Sequence, residues 1–354
     1  MTFVKNFWYV AAWSHEITRD KPIGRTIIGE PVALYRNTHG SVVAVEDRCA
    51  HRHAPLSMGR IEGDNLRCMY HGMLYGSDGV CKAIPGTNTK PANTTLRTFP
   101  VVERSSWVWV WMGDPARADA TNVPHAVGLE NPEWVMRAGA LDYDADYQLI
   151  NDNLCDLSHL DFVHEATLGY ASGSKWSTKE PTITVLENGL LIERWFVDRV
   201  IRPGDTLVDA WNSYRYLLPG IFLMNTDIYT HGTAASSGFE APSNLMPLFR
   251  RCDQQAVTPL TQNRSRYLFA TGTDRASSTP ETLERMFAVV NAAFAEDRAI
   301  IEAQQRIWNC TDPRKSKAFI PQDKAPSIIR RKIANLLVAE QKLYTSVTGK
   351  ILEE

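Results

Sequence analysis

Two short stretches decide the reading: Cys49-Ala-His51-Arg52-His53-Ala-Pro-Leu-Ser57 and, after sixteen residues intervening between His51 and Cys68, Cys68-Met-Tyr-His71-Gly72. Each offers one thiolate and one imidazole. Two facing loops of this kind can present two thiolates to one metal and two imidazoles to another. A Rieske [2Fe–2S] cluster needs that division, because histidines replace cysteines on only one of its two irons. A Cys2His2 zinc site would use the same ligand types. The Cys-x-His spacing of the first pair, Gly72 directly after the last ligand and the surrounding turn-rich strands favour the cluster, held by Cys49, His51, Cys68 and His71. His53 sits one position too far along to fit the pattern and is expected to be packed or hydrogen-bonded, with Arg52 contributing to local charge balance.

High-potential Rieske proteins carry an extra cysteine in each loop and bridge the two. Here those regions hold residues such as Ala54 and Tyr70. The cluster is therefore expected toward the low end of the range of roughly −150 to +300 mV open to such centres. Cys81, Cys155, Cys252 and Cys310 have no histidine company and read as inert or buried thiols.

Around the first pair, residues 1–112 read as short strands separated by turns. Pro31–Tyr35 and Val42–Glu46 flank Asn37-Thr-His-Gly40, Gly76-Ser-Asp-Gly79 is another turn, and Trp107-Val-Trp-Val-Trp-Met112 is a last strand. Breakers then accumulate through residues 113–124, so the expected division is an all-β domain at 1–115 and a mixed domain at 116–354. With 354 residues, two domains is also the size-based expectation. The second part is expected to hold strands up to about Tyr147 and around 182–197, 206–216, 221–230 and 265–272. Its helices are expected at Asp152–His159, Thr282–Trp308 and Ser327–Val347.

The second chemical signal lies in Asn153-Leu-Cys-Asp156-Leu-Ser-His159-Leu-Asp-Phe-Val-His164. Asp156 and His159, three apart, would share a helical face. His159 and His164, five apart, diverge by about 140° on a regular helix. Both reach one metal only if the helix ends or bulges between them. Two imidazoles and one carboxylate form the triad that leaves positions open on Fe(II) for dioxygen. The carboxylate is sought in Phe294-Ala-Glu296-Asp297. Residue 297 completes the apolar stripe 287, 290, 294, 301, whereas Glu296 points about 100° away, so Asp297 is the expected third ligand and Glu296 the solvated alternative. Asp156 is expected to orient a ligand histidine through its free N–H, and Asn153, one turn earlier, to face the open metal positions.

Taken together, these runs resemble the Rieske aromatic-ring oxygenase α-subunits, within the vanillate O-demethylase, dicamba monooxygenase and toluenesulfonate methyl-monooxygenase branch. The likeness is carried by Asn6-Phe-Trp-Tyr-Val-Ala, the two cluster loops, Ile84-Pro-Gly, Val101-Val-Glu-Arg and Asp152-Asn-Leu-Cys-Asp-Leu-Ser-His. His53 stands where relatives usually have a small residue. The resemblance implies an α+β chain: an all-β Rieske [2Fe–2S] domain, then a START-like helix-grip catalytic domain with an antiparallel sheet and C-terminal helices. It also implies a head-to-tail ring of three subunits, in which His71 of one would hydrogen-bond Asp156 of the next, which in turn holds His159.

The implied activity is that of a terminal oxygenase using O2 to oxidise an aromatic substrate, with O-demethylation of a methoxy aromatic acid as the leading reaction and hydroxylation of a ring or aryl methyl group as its rival. Asn225, His231, Trp211 and Arg215 are the candidate substrate contacts in the variable stretch. No Gly-x-Gly-x-x-Gly or flavin fingerprint occurs, so electrons are expected from a separate NAD(P)H-dependent reductase or a ferredoxin. A net charge of −2 without basic runs gives no footprint for nucleic acid or an anionic membrane. No apolar stretch is long enough to span a bilayer, and an N-terminus unlike a signal peptide points to the cytoplasm. A pure electron carrier would have no use for the second metal set, and a lipid-binding module would need neither.

Overall fold

The computed structural model describes residues 2–89, 91–169, 175–200, 205–312, 315 and 317–351, with side chains to residue 343. The chain forms two compact units, residues 1–128 with 258–262, and residues 129–257 with 263–354. The first unit thus runs past the expected boundary at 115. The breakers that end the regular strands do not end the packing: Trp8 Nε1 donates to Asp119 O (2.9 Å), Arg104 to the carbonyls of Ala120 and Val123, and Ser105 Oγ to Ala126 O (2.9 Å). Residues 258–262 join it through Ile28 N to Pro259 O and Gly29 N to Leu260 O, both 2.8 Å, and through Thr258 Oγ1 to Val10 O at 2.6 Å. A single cut in the sequence could not have assigned them.

The first unit is built of three small antiparallel sheets. β1 (Trp8–Trp13), β11 (Trp107–Trp111) and β10 (Val101–Arg104) form one. β2 (Ile23–Ile27), β3 (Glu30–Arg36), β4 (Val42–Glu46) and β9 (Thr98–Phe99) form the second. The third is β5 (Arg60–Glu62), β6 (Asn65–Arg67), β7 (Leu74–Tyr75) and β8 (Cys81–Ala83). β11 lies between two neighbours and is buried along its whole length, which explains its uninterrupted apolar run. The connection after β4 carries Cys49 and His51, and the β6–β7 connection carries Cys68 and His71. Tyr35, Leu56, Leu66 and Tyr75 pack around the two cysteines.

The second unit is a seven-stranded antiparallel sheet. Its strands are β12 (Trp134–Tyr143), β13 (Thr182–Leu186), β14 (Gly189–Arg199), β15 (Val208–Leu217), β16 (Ile221–Thr230), β17 (Phe249–Thr261) and β18 (Arg264–Asp274), in the order β12-β18-β17-β16-β15-β14-β13. A long helix, Pro280–Cys310, packs on β12 and β18. Thr279 caps it, accepting from Thr282 N, and proline opens its first turn. The closing helix, Lys324–Ile351, packs against the helix Tyr147–Cys155, where Arg330 grips the Asp152 carboxylate at 2.8 and 2.5 Å. This is the expected antiparallel sheet with C-terminal helices. Among the described residues no helix is long and apolar enough to cross a membrane.

β17 is the one strand of this sheet that the sequence did not suggest. Its Arg251, Asp253 and Gln255 face a cavity, so the inward side is polar and the usual alternation is missing.

Candidate metal centres and substrate cavity

The two cluster loops share one backbone frame. Cys49 N donates to Ala54 O and His53 N to Cys49 O; likewise Cys68 N donates to Met73 O and Gly72 N to Cys68 O, all within 2.8–3.0 Å. His53 and Gly72 therefore occupy equivalent positions, and both have left-handed backbones, at φ 56° and 77°. Of the two expectations for His53, packing is not met, since the residue is exposed, while its main-chain N–H is hydrogen-bonded to Cys49 O; the backbone frame fixes its place, not its ring. A left-handed site explains why a small residue suits it.

Both thiols are buried, Cys49 at 2% and Cys68 at 1% exposure, while His51 and His71 project outward with ring centroids 4.6 Å apart. That is the division into an inner sulfur pair and an outer imidazole pair that a two-iron centre uses. Burial pushes the Cys68 thiol up and the adjacent Cys49 adds to this, a cost that bound metal offsets by holding the thiolate. Burial, then His51 and Arg52, pull His71 down toward the neutral imidazole a metal requires. The Tyr75 hydroxyl lies 3.3 Å from Cys49 Sγ and accepts from Ala50 N. All six cysteines are free, so no disulfide bridges the loops.

In the second unit the helix Tyr147–Cys155 stops at Asp156, whose backbone is extended (φ −125°, ψ 102°), and a 3-10 turn, Leu157–Asp161, follows. The expected helical run from Asp152 to His159 is thus broken at Asp156. A π-helical turn, Glu165–Gly169, comes after His164. This irregular path brings together two histidines that a regular helix would separate. The Asp156 carboxylate does not hold His159 within the chain. It caps the 3-10 turn, accepting from Ser158 N and Oγ (both 2.9 Å), and the main-chain oxygen of Asp156 accepts His159 Nδ1–H at 2.6 Å.

His159, His164 and Asp297 each offer one ligand atom, all within 4.8 Å of one another. Asp297 is 5% exposed, on the inner face of the long helix. Glu296 is less a solvated alternative than a support: its Oε2 accepts His164 Nδ1–H at 2.8 Å and Thr167 Oγ1–H at 2.7 Å. Both histidines thus spend Nδ1–H on a protein oxygen and direct Nε2 at Asp297, at 3.5 Å from His159 and 3.2 Å from His164. Two imidazole nitrogens and a carboxylate turned toward one point are a donor set that fits a divalent metal. Burial opposes charge on His164, but Asp297 and Glu296 outweigh it and raise it above the ordinary value; for His159 burial prevails and lowers it. Asn153 Nδ2 reaches Asp297 Oδ1 at 2.9 Å and His159 Nε2 at 3.2 Å.

These groups open on a cavity of about 160 Å³. Leu157, Leu160, Phe222, Met224, Val290 and Phe294 supply its apolar wall; Arg199, Asn212, Thr226, Arg251, Asp253 and Gln255 supply polar groups. A cavity of roughly 150 Å³ accepts a benzene ring. The larger space beside Asp156 and Trp176, about 230 Å³, contains none of the three converging residues.

The expected substrate contacts fall elsewhere. Asn225 pairs with Ser213 and Cys252, and strand alternation puts it, with Trp211 and Arg215, on the face opposite Asn212, Met224 and Thr226. His231 is exposed and bonds Asp198 at 2.6 Å. Asp209, close to both, already accepts from the main-chain N–H of Ala234 at 2.9 Å and of Asp198 at 3.3 Å. That cluster serves the backbone. Asn212, on the opposite face from Asn225, lines the cavity instead, and strand parity alone separates the two.

Comparison with known proteins agrees with both units. Residues 7–100 match the Rieske [2Fe-2S] domain and residues 143–339 the vanillate O-demethylase oxygenase C-terminal domain. The chain belongs to this family of Rieske oxygenase components, and is an enzyme of the monooxygenase and O-demethylase type carrying a [2Fe–2S] cluster. It is 39% identical to the toluene-4-sulfonate monooxygenase system iron-sulfur subunit of Comamonas testosteroni, over 86% of this chain and 89% of that one. It is 32% identical to the vanillate O-demethylase oxygenase subunit of a Pseudomonas species, over 96% of both. Dicamba monooxygenase bound to 3,6-dichlorosalicylic acid superposes with a TM-score of 0.84 at 30% identity, covering 96% of this chain and 99% of that one; the same enzyme has also been solved with non-haem iron and dicamba. Members of the family take electrons from a reductase or ferredoxin and act on aromatic compounds.

Proposed function

We propose that this chain is the terminal oxygenase of a monooxygenase acting on a single-ring aromatic acid, with O-demethylation of a methoxy group as the reaction. The observation that carries it is the convergence of His159, His164 and Asp297 on a cavity of one-ring size that has an apolar wall and polar groups beside it. Iron held there supplies dioxygen activation, and Cys49, His51, Cys68 and His71 hold the cluster that delivers electrons. The protein's share is to orient the ring and exclude water. One oxygen atom enters the methoxy C–H bond, the other leaves as water with two electrons and two protons, and the resulting hemiacetal separates into a phenol and formaldehyde.

Oxidation of an aryl methyl group is the second reading. It is favoured by the 39% identity to a toluene-4-sulfonate monooxygenase subunit, against 32% for the vanillate demethylase subunit.

A ring of three subunits suits the exposed His51 and His71, which offer an electron exit from the surface of the first unit. In it, His71 would meet the Asp156 carboxylate of a neighbour, whose main-chain oxygen orients His159. The six free cysteines fit a reducing cytoplasm. Turnover with a compatible reductase tests the reaction. Formaldehyde from methoxybenzoates supports demethylation, benzylic alcohol from toluene-4-sulfonate supports the second reading, and no oxygen uptake with either series contradicts both.

A further inference from the structure

β14 and β15 pair residue for residue from Gly189 opposite Leu217 to Phe196 opposite Ala210; the next pair is Arg199 opposite Val208. One extra residue has entered β14, and Asp198 beside it has a left-handed backbone, φ 55°. Without that bulge Arg199 would share the face of Trp195 and Val197. With it, Arg199 turns to the face of Arg194 and Phe196 and lines the cavity. Bulges beside active sites re-aim a side chain in this way, and a left-handed non-glycine residue persists only where its surroundings hold it.

Across the same face, the register sets Asn212 opposite Thr226 and Thr226 opposite Arg251. Arg251 is held by Asp253 at 2.9 Å, so those two charges balance. Asn212 is 1% exposed; its Oδ1 accepts from Thr226 Oγ1 at 2.8 Å, and its buried Nδ2 has no hydrogen-bond partner among the described residues. A buried N–H donor left unpaired is costly, which marks it as a group awaiting an acceptor.

We propose that Arg199 and Asn212 form the subsite for the anionic oxyacid group of the substrate. The guanidinium supplies charge and a planar fork for two oxygens, and the Asn212 amide supplies a further donor. Anchoring the acid at one point of a one-ring cavity determines which ring substituent meets the His159, His164 and Asp297 triad. This assignment rests on the monooxygenase reading and sharpens it: the substrate is required to be an anion.

The test uses intact holoenzyme and equilibrium binding of 4-methoxybenzoate, toluene-4-sulfonate and the matching neutral amides. Wild type is expected to prefer an acid over its amide, and the preferred acid identifies carboxylate or sulfonate as the natural group. Arg199→Gln should lower the acid-to-amide affinity ratio by about 10- to 100-fold, the worth of one or two charge-assisted hydrogen bonds, with Arg199→Lys between. Asn212→Asp, nearly isosteric, should lower it too, and retained affinity for the neutral amide verifies that the cavity is folded. Equal loss for acid and amide, or an unchanged ratio in both Arg199→Gln and Asn212→Asp while the acids are still oxidised, overturns the subsite alone. Failure of the wild type to bind or oxidise any of these arenes overturns the monooxygenase reading, and the subsite with it.

Discussion

Glu296 Oε2 accepts the Nδ1–H of His164 at 2.8 Å, while Asp297, the next residue on the same helix, faces the other nitrogen of that ring at 3.2 Å. Two adjacent acids thus face one imidazole from both sides, one fixing its tautomer and one beside the nitrogen that would take a metal. Carboxylates that orient ligand histidines are worth about 10- to 100-fold in metal affinity. Glu296→Ala should weaken Fe(II) or Co(II) binding by that factor in titrations of metal-depleted protein, with the cluster absorption unchanged. Wild-type affinity in this variant would mean that the Glu296 contact is incidental.

At the cluster, the Tyr75 hydroxyl lies 3.3 Å from Cys49 Sγ. Hydrogen bonds to cluster sulfurs favour the reduced, more negative state. Removing one worth about 1 kcal/mol shifts a one-electron couple by on the order of 40 mV. Tyr75→Phe should therefore lower the midpoint potential by that amount in a spectroscopic redox titration. An unchanged or raised potential would show that the thiolate does not accept from Tyr75.

The matched loop frames make opposite predictions at His53 and Gly72. A Cβ on Gly72 would come within 2.7 Å of Pro85 Cγ, on a backbone at φ 77°, so Gly72→Ala should shorten cluster lifetime on dilution into chelator. His53→Gly relieves a left-handed backbone worth about 1 kcal/mol and should hold the cluster at least as long as wild type. The reverse order would refute the equivalence of the two positions.

Arg67 ties the hairpin beneath the second loop together: Nε and Nη2 bind Glu62 at 2.7 and 2.6 Å, and Nη1 donates to Gly72 O at 2.7 Å. Hydrogen bonds from Arg67, then Arg60, pull the Glu62 carboxyl from 4.5 down to about 2. Because the folded value lies below the unfolded one, the stabilisation is complete above about pH 4.5 and disappears as pH falls through about 2. The melting-temperature gap between wild type and Glu62→Gln should be constant near neutrality and close over that window. A gap that widens on acidification would contradict the assignment.

The parts of this molecule that were legible in sequence are those in which spacing alone fixes geometry. Cys-x-His and Cys-x-x-His pairs must lie in tight turns, and the stripe 287, 290, 294, 301 leaves Asp297 on the buried face of its helix. Cavity-lining residues obey strand parity, which cannot be read without the register. Asn225 and Asn212 lie on neighbouring strands and differ only in face, and only Asn212 lines the cavity. Arg199 was harder still, because a bulge reverses the parity of its strand. β17 escaped notice because its inward side is polar, and Asp156 looked like a side-chain partner when its carbonyl does that work.

The central claim is that one chain holds two separate iron centres, with Asp297 belonging only to the second. Iron and acid-labile sulfide analysis of wild type and Asp297→Ala, purified side by side without oxygen, tests this most directly. Wild type should hold about three irons and two sulfides per chain; the variant should keep about two of each with an unaltered Rieske spectrum, and lose turnover. Loss of sulfide in Asp297→Ala, retention of the third iron, or zinc in place of iron at the cysteine loops would contradict the account.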